Sequence, residues 1–146
     1  MGRFIRMADR IASSTLRAVL GATALAAVVA CAVGALAGPL PAGVWVGPQA
    51  NMTVYPDSAS VELGCAVGRV PSAIVAGGDG TFTVPGLYAI AAGPVPVTGP
   101  RWQDASFQGT RSGDDLTLTI VLSTSGAAIG PFQLHRGTIG QFPLCL

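Results

Sequence analysis

Few residues in this chain can do acid–base or nucleophilic chemistry. There is one histidine, His135, and seven acids in 146 residues. A hydrolytic triad needs a nucleophile, a base and an acid that orients the base. Serines are plentiful, but no G-x-S-x-G elbow presents one. His135 follows Phe132-Gln133-Leu134 and alternates away from both apolar residues, so it reads as a surface residue of a strand. Paired carboxylates support glycoside hydrolysis. The only adjacent pair, Asp114-Asp115, follows Ser112-Gly113, where aspartate is expected as a turn former. Glu62 alternates to an outer face. Gly78-Asp79-Gly80 offers a single acid, too few oxygens for calcium, and reads as a hairpin turn. No catalytic residue, metal ligand set or cofactor site is predicted. The best candidate surface is Arg101-Trp102-Gln103-Asp104, an aromatic flanked by charge, together with Trp45 in an early strand. Such a cluster can form a pocket mouth; more often it is a loop pinned by a buried tryptophan.

The elements that would position these groups are strands. From Val44 onward the apolar residues recur with period two. Leu116, Leu118, Ile120 and Leu122 share one face while Thr117 and Thr119 take the other. Residues 60–67 alternate in the same way and place Cys65 with Val61, Leu63 and Val67. Phe82 and Val84 form one further inward pair, Phe132 and Leu134 another. Turn residues separate the runs at Pro56-Asp57-Ser58, Gly77-Gly78-Asp79-Gly80, Ser112-Gly113-Asp114 and Ser123-Thr124-Ser125-Gly126. The spacing predicts strands near 44–47, 50–55, 60–70, 81–89, 94–98, 104–112, 115–122 and 131–136. The fold class is therefore all-β: an antiparallel meander closed as a small barrel, or folded as a sandwich. A barrel is preferred because closure removes exposed edges.

Ahead of this domain lies a leader. Residues 1–37 carry four arginines against Asp9, a net +3, and residues 18–37 carry no charge at all. A basic segment followed by an apolar one is the order of a secretory signal. The arginines favour the cytoplasmic side, so the rest of the chain goes outward. Three fates fit the leader. Ala35-Leu36-Ala37 matches a cleavage signal before Gly38. Val28-Val29-Ala30-Cys31 loosely matches a lipoprotein box, with Cys31 the lipidated residue. About 20 apolar residues also suffice for an uncleaved membrane anchor. Residues 38–43, rich in Gly and Pro, read as a linker to a β domain over 44–146. The localisation expected is extracytoplasmic, either secreted or held at the outer face of the cell membrane.

Cys65 and Cys145 remain outside the leader and are expected to pair in an oxidising compartment. The bridge closes a long loop, worth about 4 kcal/mol in the chain-entropy model. Residues 38–146 hold four arginines against six acids, a net −2. No basic patch exists to displace counterions from nucleic acid. Lysine is absent while Ala, Gly, Val and Arg abound, a composition of GC-rich bacterial genomes.

The β domain also carries a pattern of larger scale. Trp45 is followed by Val61-Glu62-Leu63-Gly64-Cys65-Ala66-Val67-Gly68, then by Asp79-Gly80-Thr81-Phe82-Thr83-Val84-Pro85-Gly86-Leu87-Tyr88. Phe107-Gln108-Gly109, Asp115-Leu116-Thr117-Leu118-Thr119 and Cys145-Leu146 complete it. Over about residues 44–146 the chain resembles a group of small bacterial exported β proteins. The resemblance rests on turn and core residues, so it implies a fold and brings no activity with it. By fold-level analogy, calycin-like barrels close one end with an early-strand tryptophan, and Trp45 is placed to do so; otherwise it fills the core. The function expected is a non-enzymatic envelope binding or interaction module, with an unidentified extracytoplasmic partner and, through the leader, the membrane. A secreted protease inhibitor of calycin-like fold and a small secreted hydrolase are the alternatives.

Overall fold

The computed structural model describes residues 37–92 and 97–138. The leader, with its three possible fates and Cys31, lies outside the described residues. So do Cys145 and part of the strand expected at 94–98; Val97 and Thr98 form a turn. No helix occurs among the described residues.

The strands are β1 (Gly38–Pro39), β2 (Gly43–Val46), β3 (Ala50–Val54), β4 (Ala59–Leu63), β5 (Ala66–Val70), β6 (Val75–Ala76), β7 (Thr81–Ile90), β8 (Gln103–Ser112), β9 (Asp115–Leu122) and β10 (Ala128–Arg136). Eight of them close an antiparallel barrel in the order β2-β3-β4-β5-β7-β8-β9-β10, and β10 returns to β2. The barrel expectation holds in place of the sandwich. Around the barrel each strand pairs with the next along the chain, β6 being passed over, and β4–β5 and β8–β9 are joined by tight turns that leave no length for a crossover.

The interior is made by the alternation. Trp45, Met52, Val61, Val70, Phe107, Leu116, Leu118 and Ile120 are the largest fully buried side chains, contributed by six of the eight barrel strands. An eight-stranded barrel is just wide enough for side chains to fill it. Phe107 occupies its share of that space only because its neighbours are glycines. A methyl group on Gly68 would meet the ring at 2.8 Å, and one on Gly86 at 2.6 Å. Phe82 packs in the same way beneath Gly109, where a methyl group would lie 2.3 Å from Cζ. Large side chains on one strand thus use the bare backbone of the next.

The expected strand over 60–70 is two strands. β4 and β5 form a hairpin with Gly64 and Cys65 as its turn, and the register pairs Leu63 with Ala66 and Glu62 with Val67. Cys65 is therefore exposed at the turn and not in the core with Val67. The inward residues of β5 are Ala66, Gly68 and Val70. The turn moves the alternation by one position.

The segment read as a linker, 38–43, holds structure. β1 pairs antiparallel with β6 as a separate two-stranded sheet, joining Gly38 to Ala76 and Pro39 to Val75. The Leu40 amide donates to the Ile74 carbonyl at 2.8 Å. Leu40, Ile74 and Ala76 are all buried in the core cluster. They lie at the end of the barrel where β2 starts and β5 finishes, so this small sheet is an apolar lid over that end.

Closure depends on a short seam. β10 pairs with β2 only through His135 to Val46 and Arg136 to Trp45. The earlier part of β10 pairs with β9 alone, with a bulge between Ile129 and Phe132. Pro131 has no N–H to offer, and proline with a bulge is a common way to blunt such an edge.

Candidate functional site

Trp45 does not reach the surface. It is wholly buried, and its indole N–H donates to the Pro41 carbonyl at 3.3 Å. It fills the core and ties the entry of β2 to the chain ahead of it. The candidate surface loses this member.

Trp102 precedes β8 and is half-buried against the outer wall. The Arg69 guanidinium of β5 lies 4.7 Å from the centre of its ring. Stacking on a cation is worth about 0.5–1 kcal/mol at an exposed site. Arg69 pairs in register with Leu87, and Leu87 with Asp104, so the sheet brings Arg69 beside a tryptophan 33 positions away. Arg101 and Asp104 are exposed. The Asp104 carbonyl accepts from the Ser123 amide at 2.9 Å. One face of the indole is thus already taken, and the segment is a loop pinned by its tryptophan. The partner, Arg69, was not legible in the sequence, because only the order of the strands makes it a neighbour.

His135 is engaged. Its Nδ1 lies 2.8 Å from Asp115 Oδ1, across the β9–β10 hairpin where the two residues pair, and both side chains are mostly exposed. Next to them the Arg136 guanidinium stands 4.0 Å from Asp114 and donates to the Ala42 carbonyl at 3.1 Å. The nearest hydroxyl by register is Ser112, paired with Asp115 on its other side. The order across the strands is serine, aspartate, histidine. Proton transfer from a serine needs the imidazole in the middle. This arrangement orients a ring and does not activate a nucleophile. Among the described residues no group of three His, Cys, Asp or Glu side chains could hold a metal ion.

A different surface emerges on the outer wall of β7, β8 and β9. The same alternation that sends Phe82, Phe107, Leu116 and Leu118 inward sends threonines and glutamines outward. Register aligns them in two ranks. Thr81, Thr110, Thr117 and Gln133 form one rank across four strands; Thr83, Gln108 and Thr119 form the other across three. All of these but Gln133 line an open groove of about 330 Å³, floored near Gly109 and Phe82. No charged side chain lines it.

The groove is rigid at its borders and free at its centre. Asp79 accepts from the Thr81 amide at 3.0 Å and from its hydroxyl at 2.8 Å. These bonds, the backbone one foremost, hold the Asp79 carboxyl below its usual pKa. Gly80 beside it has φ +79°, and a side chain there would collide with the Arg111 carbonyl, so only glycine fits the turn. At the other border Thr117 Oγ1 donates to Gln133 Oε1 at 2.9 Å. Between them, among the described residues, the side chains of Thr83, Gln108, Thr110 and Thr119 make no hydrogen bond. The sequence showed Thr117 and Thr119 facing outward; their meeting with Gln108 and Thr110 needed the strand order.

No family model, no curated protein and no solved structure matches the chain.

Proposed function

We propose that this chain is a non-enzymatic binding module of the cell envelope, and that it holds its ligand on the outer wall of the barrel over β7, β8 and β9. The observation that carries this reading is the division between inside and outside. Side chains such as Trp45, Met52, Phe107, Leu118 and Ile120, all at zero exposure, make the interior a packed core. Four polar side chains with no hydrogen-bond partner among the described residues, Thr83, Gln108, Thr110 and Thr119, line one groove outside it. A calycin-like carrier would keep its cavity inside the barrel. The extracytoplasmic setting rests on the leader and on the expected Cys65–Cys145 bridge. Cys65 stands exposed on the β4–β5 turn, where a partner can reach it, and it is engaged.

The test is retention. The full-length chain, produced in its own host, is incubated with cell-wall fragments stripped of membrane, and the bound fraction is measured. Retention that falls when Thr83→Lys and Thr119→Lys crowd the groove supports the reading. A wild-type chain that stays in solution overturns it.

A further inference from the structure

We infer that the ligand of the outer-wall groove is an uncharged polysaccharide, an inference that rests on the binding reading above. Four features of the wall lead to this class by exclusion. First, no charged side chain lines the groove. A phosphate, carboxylate or ammonium buried against it would lose water without gaining a counter-charge. A nucleic acid would lack the cations that its backbone requires.

Second, the large exposed apolar residues, Tyr55, Val75, Ile90 and Val97, all lie away from the groove. A lipid or an amphipathic helix has nothing to dock on. Third, β8 is paired with β7 over Gln103–Thr110 and with β9 over Ala105–Ser112, so its groove residues have a strand on both sides. An extended peptide that adds itself to a sheet needs a free edge, and the strand at the centre of the groove has none. Fourth, every polar group in the groove is a hydroxyl or a carboxamide. Each both donates and accepts. The complementary partner is a surface dense in groups that also do both, and that is an array of hydroxyls.

The scale agrees. Neighbouring strands stand about 4.8 Å apart, and residues two apart along a strand about 6.7 Å. The ranks Thr81–Thr110–Thr117 and Thr83–Gln108–Thr119 therefore present polar groups on a grid the size of one or two sugar rings. Each threonine sets a methyl beside its hydroxyl. A pyranose does the same with its C–H bonds. The hydroxyls of Thr83 and Thr119, which have no hydrogen-bond partner among the described residues, carry the contact; Gln108 sits between them in register.

The experiment uses the full-length chain in detergent and two sets of insoluble polymers, neutral glucans and mannans on one side, anionic polysaccharides on the other. Co-sedimentation is measured at low and high salt. The T83V/T119V variant keeps the shape of each side chain and removes its hydroxyl. The T83S/T119S variant restores the hydroxyl. Binding to a neutral polymer that is insensitive to salt, falls at least tenfold in T83V/T119V and returns in T83S/T119S supports the inference. Binding confined to anionic polymers, or abolished by salt, overturns the ligand class while leaving the groove as a binding site. Binding to a neutral polymer that T83V/T119V does not weaken overturns the role of these hydroxyls. A chain retained by cell-wall fragments but by no neutral polymer overturns the ligand class as well. A chain that binds neither fragments nor polymers overturns both this inference and the reading beneath it.

Discussion

The Phe107 ring lies so close to the Cα of Gly86 that a methyl group there would sit 2.6 Å from ring carbon Cε2. On its other side Gly68 approaches the ring with the same economy, at 2.8 Å. The two glycines differ in what else they face. At Gly86 the added carbon would also strike the Arg69 carbonyl at 2.4 Å, which is backbone and cannot turn aside. At Gly68 the next obstacle after the ring is Val61 Cβ at 3.3 Å. Overpacking of this kind costs about 1–3 kcal/mol. Gly86→Ala and Gly68→Ala should each lower the urea midpoint accordingly. Adding Phe107→Leu should recover part of the loss for Gly68→Ala and none for Gly86→Ala, a coupling that a double-mutant cycle reads directly.

Trp45, on β2, is the other large ring that the barrel buries completely. Replacing it with alanine removes a fully buried indole and its bond to Pro41. The expected loss is about 3–5 kcal/mol. Trp45→Phe should cost less, because most of the volume stays. Chemical denaturation followed by far-ultraviolet circular dichroism distinguishes the two.

Tyr88 sets an alkaline limit. Burial raises its hydroxyl pKa above the ordinary tyrosine value. The unfolded chain then releases this proton first as pH rises, so the stability contributed is complete below about pH 10 and is lost as pH climbs through the raised folded value. Tyr88→Phe should flatten that alkaline fall in midpoint while leaving the neutral region nearly unchanged.

Asp79 acts at the other end of the scale. Its folded pKa is lowered by the Thr81 amide and hydroxyl. Its contribution is present above the ordinary carboxylate value of about 4 and disappears as pH falls through the depressed one. Asp79→Asn keeps an acceptor for the Thr81 amide and should remove the acid dependence with little change near neutrality. Asp79→Ala should lower stability at every pH, since the turn then has no acceptor at all. Thermal melts between pH 2 and 7 separate the two.

Cys65 stands at the exposed β4–β5 turn. If it pairs with Cys145, the intact protein gains the mass of two hydrogens on reduction, and Cys65→Ser abolishes the change. Reduction should also lower the unfolding free energy, by about 4 kcal/mol if chain entropy governs the effect. An unchanged mass on reduction removes the bridge from the account.

The sequence showed most where one face is wet and the other dry. β9 is the clearest example: Leu116, Leu118 and Ile120 are buried and Thr117 and Thr119 are not, as alternation predicts. The turns at Pro56-Asp57-Ser58, Gly77 to Gly80, Gly113-Asp114 and Ser123 to Gly126 also stand where Gly, Asp and Ser announced them. Alternation misled at residues 60–70. Val67 is apolar yet outward, and Gly68 is inward yet featureless, so nothing marked the shift of register that Gly64-Cys65 introduces. The lid was illegible for another reason. β1 and β6 are two residues each, too short for any period, and their partners are decided by distant packing. The same holds for Arg69 beneath Trp102 and for the groove, whose parts come from three strands.

The seam between β10 and β2 bears on how the molecule is made. Val46 and Trp45, near the start of the domain, find their partners in His135 and Arg136, near its finish. A chain made from its N-terminus therefore holds an open sheet, with β2 unpaired along one side, until β10 is complete. The last step of assembly is a contact of high sequence separation, the slow kind. Once these two residue pairs form, the ring of eight strands is closed.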